Sequence, residues 1–373
     1  MNSRLRAAVG WLRLLLGVSL LFLGALTPFP CSRHPLWYLS LAAAEWGHWL
    51  ILPALLLLAP GAFGSWPARL GLAAGMLGAL AGLVPVIGAA RLAPEVEERL
   101  EPFAGPSPHR PALSLAGLYL PHRPVWRAKT LVYDPRKGLK LDLYSPAQRP
   151  APTLVVVHGG SWRRGSRSEF SELNGYLCSL GYTVASLDYS LAPENLFPAP
   201  LEDIGRALRY LEQRPEVDPD RLALLGRSAG AHLALLEAFR NPSVRGVISY
   251  YGPVDMKWSW DHPSNPEVLD SSGAIRDFLG GTPREVPDTY QAASPLAQAR
   301  IGAPPTLLVH GARDDMVYAV QSRMLEDRLV SLGVPCARVE LPWANHGFDV
   351  NLHGPSGQLA TYAVEKFLAS VLK

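Results

Sequence analysis

The chain has 373 residues, 48% of them hydrophobic and 18% charged, with a formal net charge of +3, a length that suits one large or two ordinary domains. Residues 1–90 carry Arg4, Arg6, Arg13, Arg33, Arg69 and Glu45 as their only formal charges, net +4, which leaves −1 for the remainder and excludes a broad basic surface for nucleic acid. Cys31, Cys178 and Cys336 stand too far apart to suggest a zinc site or a redox pair.

Three apolar stretches open the chain. "LLLGVSLLFLGALTPFPCS" lies between Arg13 and Arg33, "LWYLSLAAAEWGHWLILPALLLLA" starts at Leu36, and "LGLAAGMLGALAGLVPVIGAA" runs uncharged between Arg69 and Arg91. The last would be about 31 Å long as a helix, against a hydrocarbon core of about 30 Å. Trp11, Trp37, Tyr38 and Trp66 near the ends favour membrane spans over buried core helices. A cleaved signal peptide is the rival reading for the first stretch, but no small-x-small site follows it. Arg4, Arg6, Arg13 and Arg69 fall on one side of three crossings and Arg33 and Arg91 on the other. The positive-inside rule then puts the N-terminus in the cytoplasm and everything after residue 91 outside it. Glu45 and His48 fall within the second stretch, where an ionisable group needs a partner, and the plain reading is a Glu45–His48 pair tucked between helices.

Residues 92–126, rich in proline, arginine and glutamate, read as a linker with a short amphipathic piece. From residue 127, strand-length apolar runs alternate with helical patterns: "AKTLVYD", "LKLDLYS", "PTLVVVH", "YTVASLDY", "RLALLG", "VRGVISY", "PTLLVH" and "CARVEL". Helices are expected near 168–180, 200–213, 229–239, 318–332 and 356–372. The alternation predicts an α/β domain with a mostly parallel sheet, opened by an antiparallel hairpin at "PRKG".

Gly226-Arg227-Ser228-Ala229-Gly230 fits G-x-S-x-G, a pattern that chance alone yields in roughly one sequence in six of this length. Its setting adds weight. "RLALL" precedes it as a buried strand and "AHLALLEAF" follows as a helix, so Ser228 occupies a sharp strand-to-helix turn that pushes its hydroxyl into a cleft. A serine hydroxyl needs a base and an acid. "PPTLLVHGARDDMV" presents Asp314 and Asp315 after one late strand, and "ELPWANHGFD" presents His346 after the next. The order serine, acid, histidine suits three residues meeting at the carboxyl edge of one sheet.

With these residues, the chain from about residue 127 onward resembles the esterase branch of the α/β-hydrolase superfamily and is similar to BD-FAE-like and hormone-sensitive-lipase-like enzymes. "HGGSW" (158–162) resembles the oxyanion-hole loop, "DYSLAPENLFPAPLED" (188–203) a D-Y-R-L-A-P-E segment, "HGARD" the acid motif and "NHGF" the histidine loop. Gly-Gly-Ser replaces a triple glycine, and Ser190 stands where arginine is usual. The resemblance implies an eight-stranded, mostly parallel sheet flanked by helices and a carboxylic ester hydrolase working through an acyl-enzyme. In it Ser228 is the nucleophile, His346 the base and Asp314 the orienting acid. The backbone N–H groups of Gly159, Gly160 and Ala229 would form the oxyanion hole, with Ser161 contributing its own amide.

The remaining polar and aromatic residues have plainer readings. His232 suits packing, His158 and His310 suit bracing of their loops, and the spacing in "HGARD" favours Asp314 over Asp315. Trp162, Trp258 and Trp260 could line an acyl pocket or pack in the core. Residues 254–275 read as a short cap, aided by 105–126, over a cleft for a short- or medium-chain acyl group. Neither a metal-ligand spacing nor a nucleotide-binding fingerprint occurs, so no cofactor is called for. The expected partners are a small-molecule or lipid-like ester and, through residues 1–91, a lipid bilayer. A peptidase or amidase, an acyltransferase and a catalytically silent binding module remain alternatives.

Overall fold

The computed structural model describes residues 3–59, 63–103, 105, 108, 110–120 and 126–373. Helix α1 (Ser3–Ala25) is followed by α2 (Leu36–Trp46), a 3₁₀ turn (Gly47–Leu50) and α3 (Ile51–Leu56), then by α4 (Trp66–Gly82) and α5 (Val84–Arg99). Three helical segments, Arg4–Ala25, Leu36–Leu56 and Trp66–Arg99, are long and apolar enough to cross a membrane. α1 and α4 touch backbone to backbone: a Cβ on Gly17 would lie 1.9 Å from the carbonyl oxygen of Gly71, and one on Gly24 2.0 Å from that of Gly78. Such small-residue contact is how helices associate where lipid removes the hydrophobic drive.

The third segment does not pass into a linker at residue 92. Pro85 restarts the helix after Leu83 as α5, which continues to Arg99. Ala89, Val96, Leu100 and Phe103 are fully or almost fully buried in the core of the following domain. Of the expected linker, residues 104, 106, 107, 109 and 121–125 lie outside the described residues. α6 (Leu115–Tyr119) is capped by Ser114, whose backbone amide donates to Gln358 Oε1 at 2.7 Å.

Strands β1 (Lys129–Asp134), β2 (Leu139–Tyr144), β3 (Ala151–Val157), β4 (Thr183–Leu187), β5 (Val217–Arg227), β6 (Val244–Tyr250), β7 (Thr306–Gly311) and β8 (Cys336–Leu341) form one sheet. Its order is β1-β2-β4-β3-β5-β6-β7-β8, with β2 antiparallel to both neighbours and the rest parallel. This is the eight-stranded, mostly parallel sheet that the resemblance implies. Each strand read from the sequence is found, although β5 starts four residues before its predicted run. Alternation carries the two cores: Val155 and Val157 of β3 face one layer, Leu154 and Val156 the other.

α7 (Ser171–Ser179), α8 (Ala199–Glu212) and α9 (Ala229–Arg240) follow β3, β4 and β5. Between β6 and β7 come α10 (Met256–Asp261), α11 (Ser271–Leu279), α12 (Pro287–Ala292) and α13 (Pro295–Gln298); α14 (Val320–Ser331) follows β7 and α15 (Pro355–Val371) closes the chain. α8, α9 and α14 cover one face of the sheet, and α7, α15 and α5 the other.

Glu45 and His48 are both buried, but among the described residues no hydrogen bond joins them. Each faces a later part of the chain instead. The Glu45 carboxylate faces the start of α15, where a Cβ on Gly354 would lie 2.7 Å from its Oε2, and its carbonyl accepts from Asn351 Nδ2 at 2.9 Å. His48 Nε2 donates to the carbonyl of Leu118 at 3.2 Å.

Candidate active site

β5 ends at Arg227 and α9 begins at Ala229, so Ser228 alone makes the turn, at φ 52° and ψ −122°. A non-glycine residue holds such a backbone only where its surroundings over-determine it. The Ser228 amide donates to the Tyr250 carbonyl at 2.9 Å. A Cβ on Gly226 would meet the Gly230 carbonyl oxygen at 2.3 Å, and one on Gly230 would meet that of His158 at 2.2 Å. The flanking glycines are therefore steric requirements: they let the first turn of α9 press against the end of β3.

The loops after β5, β7 and β8 bring Ser228, Asp314 and His346 together. Ser228 Oγ donates to His346 Nε2 at 3.0 Å, and His346 Nδ1 donates to Asp314 Oδ2 at 2.7 Å. A carboxylate only accepts, so Nδ1 carries the imidazole proton and Nε2 offers its lone pair to the hydroxyl. Asp314 is 4% exposed, and its other oxygen accepts from the amides of Met316 and Val317 at 2.9 and 2.8 Å. Burial alone would raise its pKa, but the charge of His346 and the hydrogen bonds of His310 and His346 hold the carboxyl well below the usual range. Asp315 points elsewhere: its Oδ1 accepts from Trp37 Nε1 at 2.8 Å.

The other histidines are structurally engaged. His310 accepts from Ser322 Oγ at 2.6 Å and donates to the Val317 carbonyl at 2.8 Å, bracing the acid loop. His158 stacks on Tyr189 with ring centroids 4.3 Å apart and donates to the Gly159 carbonyl at 2.7 Å. His232 accepts from Trp162 Nε1 at 3.3 Å and donates to the Ala293 carbonyl at 2.6 Å; burial pushes its pKa down to about 4.

β3 lies beside β5, so "HGGSW" arrives next to Ser228. Ser161 and Ala229 line the cleft in front of Ser228, whereas Gly159 and Gly160 do not. Gly159 packs behind, where a Cβ would lie 3.1 Å from the Arg227 carbonyl oxygen and 3.3 Å from Ser228 Cβ. Gly160 turns the loop at φ +107°. The segment 188–203 supports this loop, since Tyr189 Oη donates to the His158 carbonyl at 3.1 Å and the Ala192 amide to that of Trp162 at 2.9 Å. Near Ser190, Lys137 Nζ and Arg206 supply positive charge to Asp203 at 2.8 and 2.7 Å.

A family model described as BD-FAE matches residues 141–329, just over half of the chain. The chain belongs to the BD-FAE family. Two Mycobacterium tuberculosis proteins are similar to it: Esterase LipC, 28% identical over 68% of this chain and 67% of LipC, and Esterase LipQ, 29% identical over 71% of this chain and 65% of LipQ. The chain thus spans about two thirds of the length of these relatives. Among solved structures, a Pyrobaculum calidifontis esterase shares the fold with a TM-score of 0.58 at 22% identity, covering 77% of this chain and 92% of that one. With these relatives, this BD-FAE protein falls among the carboxylic ester hydrolases.

The BD-FAE cleft is narrow, with about 40 Å³ of room for the centre of a water-sized sphere, and is lined in part by Trp162, Trp258, Leu269, Ile275, Met316 and Gln321. Trp162 is also stacked on Phe278 at 4.5 Å, so it packs and lines at once; Trp260 packs on Tyr290 and stays outside. The cap is built from 254–275, through α10 and the start of α11. The described residues of 105–126 do not line the cleft: Arg110 pairs with Glu365 at 2.7 Å and Ser114 with Gln358, both on α15.

One buried network escaped the sequence reading. Arg227, immediately before Ser228 in this BD-FAE elbow, pairs with Asp349, three residues after His346, and Tyr251 Oη donates to the same carboxylate. The Tyr251 ring lies 4.4 Å from that of His346, and the guanidinium sits 4.4 Å over Phe170. The only sequence signal was an arginine inside G-x-S-x-G, with its partner 122 residues away.

Proposed function

We propose that this chain is a membrane-anchored serine esterase that cleaves carboxylic esters through Ser228, His346 and Asp314. The observation that carries the reading is the continuous hydrogen-bond chain from the Ser228 hydroxyl through His346 to a buried, ionised Asp314. As Oγ attacks the ester carbonyl carbon, its proton passes to His346 Nε2, and Asp314 steadies the imidazolium. The oxyanion is met by backbone amides of Ala229 and the Gly159–Gly160–Ser161 turn, of which Ser161 and Ala229 stand nearest the cleft. The C–O bond then breaks, the alcohol leaves with the proton from Nε2, and water repeats the cycle to free the acid and restore Oγ–H.

Anchoring rests on the three apolar helical segments. The connection between the first two contacts the hydrolase part, through Arg313 to the Thr27 carbonyl at 2.6 Å and Asn265 to the Ser32 carbonyl at 2.6 Å. Three crossings put that connection and the hydrolase domain on the same face, the extracytoplasmic one when the N-terminus is cytoplasmic. A reporter fused after Lys373 that worked only in the cytoplasm would reverse this orientation.

A panel of acetyl, butyryl and longer-chain esters tests the reading. Wild type turns over the shorter esters and is labelled by a fluorophosphonate, and Ser228→Ala does neither. Labelling or hydrolysis that survives in Ser228→Ala would overturn the assignment.

A further inference from the structure

The N-terminal segment does more than sit beside the hydrolase domain. Between Thr27 and Glu45 it grips both loops that carry the acid and the base. Arg313, immediately before Asp314, donates to the carbonyl of Thr27. Asp315, immediately after it, accepts from the indole N–H of Trp37 at 2.8 Å, and Trp37 is 4% exposed. Leu41 reaches Gly347, the residue after His346, and the Glu45 carbonyl holds Asn351 at the far end of that loop. Cap residue Asn265 is tied to Ser32.

We propose that the stretch from Thr27 to Glu45 is a positioning element of the active site, with Trp37 as its central residue acting through Asp315. The inference rests on the reading of Ser228, His346 and Asp314 as the catalytic groups. Its physical basis is a shortage of donors. The Trp37 N–H is the hydrogen bond that Asp315 accepts, and the other carboxylate oxygen of Asp315 is buried without a partner. Take the indole donor away, and an anionic side chain adjoining Asp314 is left to compete for the amides of Met316 and Val317, which fix the Asp314 carboxylate. Rotation of that carboxylate misaligns His346, and a displacement of about 1 Å at a catalytic group costs as much as a hundredfold in rate. The N-terminal stretch from Thr27 to Glu45 is thereby a structural part of the catalytic apparatus.

The test is a cycle in the full-length protein in detergent: Trp37→Phe, Asp315→Ala and the double variant, assayed for kcat, KM and melting midpoint on a short-chain ester. Trp37→Phe keeps an aromatic ring but loses the N–H donor and part of the buried indole volume, and the double variant separates the two, because only the loss of the donor acts through Asp315. The expected result is a fall in kcat of roughly tenfold or more with KM within a factor of two, and no further loss when Trp37→Phe is added to Asp315→Ala. Arg313→Ala, which releases Thr27 on the other side of Asp314, gives the same kcat-selective loss, so an unfolded Trp37 variant does not decide the outcome. Wild-type kcat in Trp37→Phe and in Arg313→Ala, with Ser228→Ala inactive, overturns the positioning role alone. Undiminished turnover in Ser228→Ala overturns the catalytic reading and the positioning role with it.

Discussion

The Arg227–Asp349 pair makes a quantitative prediction. Both side chains are almost fully enclosed, 2% and 5% exposed, and the pair links the strand that leads into Ser228 to the loop that carries His346. Asp349→Asn keeps the shape and an acceptor for Tyr251, but leaves a buried guanidinium without its counter-charge. Breaking a buried pair on one side costs about 3–5 kcal/mol. For a domain of this size that lowers the melting midpoint by roughly 6–20 °C. The assay is thermal unfolding of the full-length protein in detergent, followed by tryptophan fluorescence and by esterase activity remaining after a heat step. Replacing the whole network by apolar residues of similar volume (Arg227→Met, Asp349→Leu and Tyr251→Phe together) recovers most of the loss, since no charge or hydroxyl is then left unpaired. An Asp349→Asn midpoint within about 2 °C of wild type would show that the arginine is effectively solvated, and the argument from burial would be refuted.

Asp314→Asn, which removes the acceptor that fixes the His346 tautomer, is expected to lower kcat by about 10⁴, whereas Asp315→Asn retains an oxygen for Trp37 and stays within a few-fold; equal losses at the two positions would contradict the assignment of the acid. Gly78→Val forces a side chain into the backbone of α1 and should destabilise the helix pair by about 1–3 kcal/mol, seen as faster proteolysis of the N-terminal segment. His232, whose burial lowers its pKa from 6.5 to about 4, is neutral in the fold and charges more readily when unfolded. Its contribution is therefore complete above 6.5 and is lost as pH falls towards 4, at up to about 1.4 kcal/mol per pH unit. His232→Gln should flatten the fall in melting midpoint across that window, and an unchanged slope would remove His232 as its source.

The proposed catalytic groups were legible because local chemistry marks them: Ser228 needs two glycines at its turn, and Asp314 and His346 stand where late strands end. Long-range partners left no such mark. Trp37 and Asp315 are 278 residues apart, Asn351 and Glu45 306. Nothing in the helical period of the second segment shows that Glu45 faces the start of α15, which is why a local pair with His48 was the expectation. The continuation of α5 was hidden by Pro94 and the charges of "EVEER", although Ala89, Val96, Leu100 and Phe103 keep a helical stripe through them. The glycines of α1 repeat every seven residues, at 10, 17 and 24, a signal that helix packing gives meaning only once α4 lies alongside.

The burial of α5 has a mechanical consequence. In the membrane placement proposed above, the polypeptide leaves the bilayer as a stiff post whose upper half is wedged into the enzyme's own interior, so the body cannot sway on a leash. Its mouth is held at one height and one tilt above the lipid surface. Such a mounting selects by reach: esters that diffuse to that fixed opening are served, and those anchored deeper or farther out are not.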